Sequence, residues 1–191
     1  IPEFKRVEEQ DDGVTLGACV THADIEDKRV PDVTHGALPA VARGIAYRAV
    51  RNRGTVGGSL VHADPAADWV TSLAAIGATV NIIGPTGGRS MPVENLMTSV
   101  FESDLGPGDL LDSVFIPRLS ADARWGHCKI NRKTGEFAHA MSVVLKDPAR
   151  NVCRIVIGAI EAKPIVIADA HDYFESSGNI KVPMVERLFE Q

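Results

Sequence analysis

Cysteine is scarce in this chain, and its spacing excludes more than its number does. Cys19, Cys128 and Cys153 are an odd, widely separated set. They form neither a disulfide framework nor a zinc or cluster-ligating pattern, and they suit a reducing compartment. The six histidines show no His-x-x-x-His or His-Glu-x-x-His spacing, so no metal site is expected on this chain. Positive charge is also short: 20 Lys and Arg against 25 Asp and Glu leave a net charge of −5. That balance argues against nucleic acid as the main partner, because phosphate backbones need a basic face. No apolar run approaches a membrane span, and residues 1–6 contain no apolar signal region, so a cytoplasmic protein is expected. The Gly-x-Gly-x-x-Gly and Gly-x-Ser-x-Gly patterns are missing, which removes support for a Rossmann fold and for a serine nucleophile. No catalytic residue is expected on this chain.

What is present is an ordinary globular composition, 45% hydrophobic and 24% charged over 191 residues. That length can bury a sizeable core, as one domain or two small lobes. The most informative stretch is 51–68. Gly54, Gly57 and Gly58 lack a Cβ, so a tight bend could come close to a ligand there, with Thr55 and Ser59 supplying hydroxyls. Asp64 before Pro65 reads as an N-cap and first helical residue. A bend running into a helix start would offer free N–H groups and a dipole suited to an anion. A plain strand–turn–helix connection is the bland alternative. The grouping of glycines, hydroxyls, helix start and Asp68 favours a binding role. From the residues alone, Asp68 is balanced between structure and ligand contact.

Along the chain, the alternation at 14–20 predicts a half-buried strand, and Thr21 with Asp24 has capping-box spacing. Leu38, Val41, Ala42, Ile45 and Ala49 predict a helix ending near 53, with Gly54 as its left-handed terminator. A helix is expected from Pro65 to Ile76, then a hairpin through 78–92 turned at Gly84–Gly88. A short helix is expected within 91–101, and a strand over 109–116. Beyond a lobe boundary near 120, strands are expected at 125–130, 137–145 and 152–160, forming an antiparallel meander, followed by a helix over 165–174.

Three segments in order carry a family resemblance. Thr55-Val-Gly-Gly-Ser-Leu-Val-His-Ala-Asp-Pro-Ala-Ala-Asp68, preceded by Arg51-Asn-Arg-Gly, resembles the second flavin-binding motif of the molybdenum hydroxylase flavoprotein subunits. These are the medium subunits of carbon monoxide dehydrogenase-type enzymes and the FAD domain of xanthine dehydrogenase. Asp109-Leu-Leu-Asp-Ser-Val-Phe-Ile-Pro117 resembles the family strand whose leucine walls the adenine region. Lys129-Ile-Asn-Arg-Lys-Thr-Gly-Glu-Phe-Ala138 resembles the pattern that opens the C-terminal lobe.

The resemblance implies an α+β fold. Residues 1–119 would form an FAD-binding lobe of the PCMH/vanillyl-alcohol-oxidase-like type, and 120–191 a small antiparallel-sheet-plus-helix lobe of the CO dehydrogenase flavoprotein type. It implies that Thr55, Val56, Gly57, Gly58 and Ser59 hold the FAD diphosphate and ribityl region through their backbone. Val61 and His62 would approach the isoalloxazine, Asp68 would hydrogen-bond the cofactor, and Leu111 would wall the adenine. Lys129 would lie near the flavin, where a cation could stabilise a reduced, anionic ring. Arg132, Lys133 and Glu136 would fix the lobe. The implied partners are a large molybdenum-cofactor subunit and a small subunit with [2Fe–2S] clusters. Family members normally begin with a further lobe carrying an Ala-Gly-Gly motif, and this sequence starts after that point. The expectation is therefore a separate chain supplying that lobe, or a fragment. A second functional reading follows from the same departure: a non-catalytic scaffold that has lost flavin binding.

Overall fold

The computed structural model describes residues 1–175, 177 and 179–182. After a 3-10 turn at Pro2–Lys5, β1 (Val7–Gln10) and β2 (Gly13–Gly17) form an antiparallel hairpin. All five residues of β2 are buried rather than alternating, because β2 lies inside the sheet and is covered on both faces. Thr21 caps α1 (His22–Glu26) as a capping box. Its Oγ1 accepts the Asp24 N–H at 3.1 Å, and the Asp24 carboxylate accepts the Thr21 N–H at 3.0 Å.

The single helix expected over 38–53 is two helices, α2 (Ala37–Gly44) and α3 (Arg48–Arg51). Ile45 is extended and Ala46 has φ +41°, so the chain turns sharply between them. The carbonyls exposed by that break find cations: Arg51 Nη1 donates to Ile45 O at 2.9 Å and Ala46 O at 3.0 Å. Periodicity carried the apolar face across the break, but a break with its own hydrogen-bond partners costs little, and packing decides. Gly54 does not adopt the left-handed conformation expected of it.

The glycine stretch is likewise helical: α4 covers Val56–His62, and α5 begins at Asp68 and runs to Ile76, not from Pro65. Gly77, at φ +78°, ends α5 with its N–H on Ala74 O and the Ala78 N–H on Leu73 O. β3 (Thr79–Gly84) and β4 (Gly87–Pro92) form the expected hairpin. The helix expected within 91–101 is only a 3-10 turn at Val93–Asn95, followed by a small hairpin of β5 (Met97–Ser99) and β6 (Glu102–Ser103). β7 (Leu110–Pro117) then runs between β2 and β3, completing an antiparallel sheet in the order β1-β2-β7-β3-β4.

A second antiparallel sheet follows. β8 (Arg124–Ile130), β9 (Ala140–Asp147) and β10 (Val152–Gly158) form the expected meander. The helix expected over 165–174 is instead β11 (Ile165–Ile167) and a 3-10 turn at His171–Tyr173, and β11 adds to the free edge of β10. Three β-branched residues beside an open strand edge pair there, satisfying backbone groups that a single helical turn would leave unpaired.

Helix α5 sits between the two sheets. All nine of its residues are buried, so the helix that looks one-sided in sequence is enclosed all round. Trp69, Leu73 and Ile76 join the core of the first sheet, while Ala74 and Ala75 meet Val143 and Val156 of the second. Small residues on that side let the second sheet approach, and Gly158 has no Cβ where Thr71 packs. Among the described residues no helix is long and apolar enough to cross a membrane.

Candidate functional site

Thr55 caps α4, its Oγ1 accepting the Gly58 N–H at 3.0 Å. The neighbouring donors are also occupied within the protein. Val56 N–H bonds Val20 O, Gly57 N–H bonds Ala18 O, both at 3.0 Å, and Ser59 N–H bonds Thr55 O. A helix start therefore replaces the open row of N–H groups expected of a bend. Gly57 is needed for packing: a Cβ there would lie 2.5 Å from Ala18 Cβ and 2.7 Å from Ala18 O. Gly58 differs, since it is exposed and a Cβ would meet only the Thr55 hydroxyl, at 2.9 Å. Val56 is buried and Val61 packs on the core. His62 is exposed, with its ring 5.1 Å from that of Phe101.

Between α4 and α5 the Asp64 carboxylate accepts the Ala66 N–H at 2.9 Å, turning the chain locally rather than capping a helix. Pro65 O accepts the N–H of Ala159 at 3.0 Å, joining this turn to the end of β10. Asp68 then stands in the first turn of α5, 4% exposed, with both carboxylate oxygens on Lys129 Nζ at 2.9 and 3.0 Å. Lys129 comes from β8 and gives a further hydrogen bond to Gly44 O at 3.2 Å. One ammonium thus joins the C-terminal end of α2 to the N-terminal end of α5, each charge lying where the helix dipole favours it. Burial pushes the Asp68 carboxyl above its ordinary range, and the Lys129 charge opposes that rise. His127, on the same face of β8, is held below the usual imidazole range by burial, and among the described residues its Nε2 has no hydrogen-bond partner.

A cavity of about 160 Å³ opens beside this ion pair. Ser59, His62, Asp68 and Lys129 line it together with His22, and Ile45, Val50 and Phe137 give it apolar walls. Of the ten residues singled out from the sequence, the structure brings these four together. Thr55, Val56, Gly57, Gly58 and Val61 form the helix behind Ser59 and His62. Leu111 lies apart, buried in β7 opposite Ile82, where a β-bulge shifts the register of β3. Sequence reasoning missed His22, which reads only as part of a capping box, and the walls contributed by the α2–α3 break. A second, apolar groove of about 360 Å³ runs along β8–β10 past Cys128, Met141 and Ile157, away from these polar groups.

The fold and cavity define an α+β protein with an opening where α1, the α2–α3 break, α3, α4 and α5 meet strand β8. Within that class the chain belongs to the family described as the FAD binding domain in molybdopterin dehydrogenase, whose pattern matches residues 1–119. The chain is 32% identical over 180 residues to the nicotine 6-hydroxylase medium subunit of Paenarthrobacter nicotinovorans, covering 93% of this chain and 63% of that one. It is 27% identical over 168 residues to the carbon monoxide dehydrogenase medium chain of Hydrogenophaga pseudoflava, covering 87% and 58%. A solved structure of that organism's carbon monoxide dehydrogenase superposes with a TM-score of 0.86 at 25% identity, over 95% of this chain and 64% of the other. Quinoline 2-oxidoreductase from Pseudomonas putida 86 gives a TM-score of 0.80 at 30% identity, over 91% and 61%. The chain thus spans somewhat under two thirds of the length of these relatives.

Proposed function

We propose that this chain binds FAD and serves as an electron-transfer component of a molybdenum hydroxylase-type oxidoreductase. The observation that carries the reading is the cavity, where Ser59, His62, Asp68 and Lys129 converge from three elements at its edge. Its donor set suits a flat ring bearing heteroatoms: apolar walls from Ile45, Val50 and Phe137, with hydroxyl and imidazole groups at the rim. Its size suits part of a dinucleotide, so the remaining contacts come from the exposed face at Gly58 and from a neighbouring lobe or chain. Residues 1–119 are assigned to the FAD-binding lobe, with Leu111 at the adenine end, and 120–191 to the second lobe. In this reading Thr55 through Ser59 place α4, with Val61 packed behind on the core, so that Ser59 and His62 orient the ring.

Bound FAD would supply the redox chemistry of the subunit. The residues here would bind and position it, with the Lys129 charge balanced by Asp68. Upstream, a large subunit would carry the molybdenum cofactor and a small one the [2Fe–2S] clusters, with an external acceptor downstream. The free, scattered cysteines support a cytoplasmic setting.

The test is the visible spectrum of the purified chain, alone and with the large and small subunits, after adding FAD. A bound flavin spectrum is expected in at least one combination. If every combination stays colourless, flavin binding is lost and the scaffold reading replaces this one.

A further inference from the structure

The cavity holds one polar group that neither the sequence motifs nor the ion pair accounts for. His22 is 5% exposed, and its ring forms part of the cavity wall. The buried Trp69 indole donates its Nε1–H to His22 Nδ1 at 3.0 Å. An indole nitrogen only donates, so Nδ1 must be the unprotonated nitrogen, and the ring proton sits on Nε2. Among the described residues Nε2 has no acceptor. Gly54 makes room for it, since a Cβ there would lie 2.9 Å from both Nε2 and Cδ2.

We infer that His22 is a positioning residue for the ligand of this cavity, held by Trp69 in the one tautomer that presents a neutral Nε2–H donor. The ligand group it takes is an uncharged acceptor, a ring carbonyl oxygen or an unprotonated aromatic nitrogen, both of which a flavin carries. This rests on the reading that FAD occupies the cavity. The neighbouring cation does not duplicate the role, because Lys129 already spends its donors on Asp68 and Gly44 O. Burial and the nearby Arg51 charge also hold His22 down at about 4, so the ring stays neutral throughout the physiological range. The donor is therefore constant where an ordinary histidine would switch with pH.

The test combines imidazole NMR with FAD titration of the full chain in the combination that binds flavin. Long-range 1H–15N correlations should show His22 bare at Nδ1 and protonated at Nε2, unchanged between pH 5.5 and 8, with the Nε2 signals moving when FAD is added. A proton on Nδ1, or signals that stay put as flavin binds, overturns the inference. By flavin fluorescence, His22→Phe should bind FAD about tenfold more weakly, the worth of one hydrogen bond to a buried group, and His22→Gln should recover part of the loss. Equal affinity for wild type and His22→Phe refutes the role of His22 and leaves FAD binding standing. No FAD binding by the wild type in any combination refutes the FAD reading and this inference with it. Should His22→Phe fail to fold, the movement of the wild-type Nε2 signals decides.

Discussion

Replacing Lys129 with methionine isolates the contact that ties β8 to α2 and α5 at the cavity. The side chain is nearly isosteric, so the change removes charge and hydrogen bonds while keeping most of the packing. Asp68 and Lys129 are 4% and 10% exposed, with both carboxylate oxygens engaged. Removing one member of such a pair leaves the other buried without a partner, which typically costs about 3–5 kcal/mol. Loss of the bond to Gly44 O adds to that cost, while protonation of Asp68 relieves part of it. A net loss of about 3–4 kcal/mol at pH 7 corresponds to roughly 6–16 °C in melting temperature for a chain of this size.

The sign of the pH dependence follows from Asp68. Burial raises its folded pKa, and without the Lys129 charge it rises further. A raised folded pKa gives stability that is complete below the unfolded carboxylate value, about 4, and is lost as pH climbs through the folded value. The gap between Lys129→Met and wild type should therefore be smallest near pH 4 and widest near pH 7. Urea denaturation at several pH values measures the gap, and a double-mutant cycle with Asp68→Asn isolates the pair. The double variant should be more stable than Lys129→Met alone. A gap below about 1 kcal/mol at pH 7, the range of a solvent-exposed pair, would refute the reasoning, as would a gap that does not change with pH.

The two glycines of α4 should respond differently. Gly57→Ala forces the helix away from Ala18 and should cost about 1–3 kcal/mol by denaturation, whereas Gly58→Leu should change stability by about 0.5 kcal/mol or less while weakening FAD binding in the titration. Gly158→Val should cost about 2–3 kcal/mol, because the new side chain overlaps Thr71 between α5 and β10, and pairing it with Thr71→Ala should restore part of the loss in a thermal melt. Asp147 is buried, which alone would raise its pKa, but the Ser120 hydroxyl and N–H and the Arg150 charge lower it on balance. Its stabilisation is present above pH 4 and fades as pH falls through the folded value. Asp147→Asn should therefore flatten stability measured by denaturation between about pH 5 and pH 2.

Sequence alone fixed the elements whose cause is local. Thr21 and Asp24 make a capping box because the two groups reach each other within one turn, and the β8–β10 meander follows from strand residues punctuated by turn residues. The Arg51–Asp68, Leu111 and Lys129 segments already pointed to the family, because a long motif keeps its order however the chain packs around it. Tertiary structure decided the rest. The chain breaks between α2 and α3 because Arg51 and Lys129 supply partners for the exposed carbonyls, and Lys129 lies 85 residues beyond Gly44. The second sheet encloses α5, so a helix with one evident apolar face is buried on every side. His22 looked like part of a cap, and only the approach of Trp69, 47 residues away, fixes which of its nitrogens keeps the proton. A pattern in sequence records what neighbouring residues require of one another, whereas a cavity is made by groups that meet only after the chain has closed.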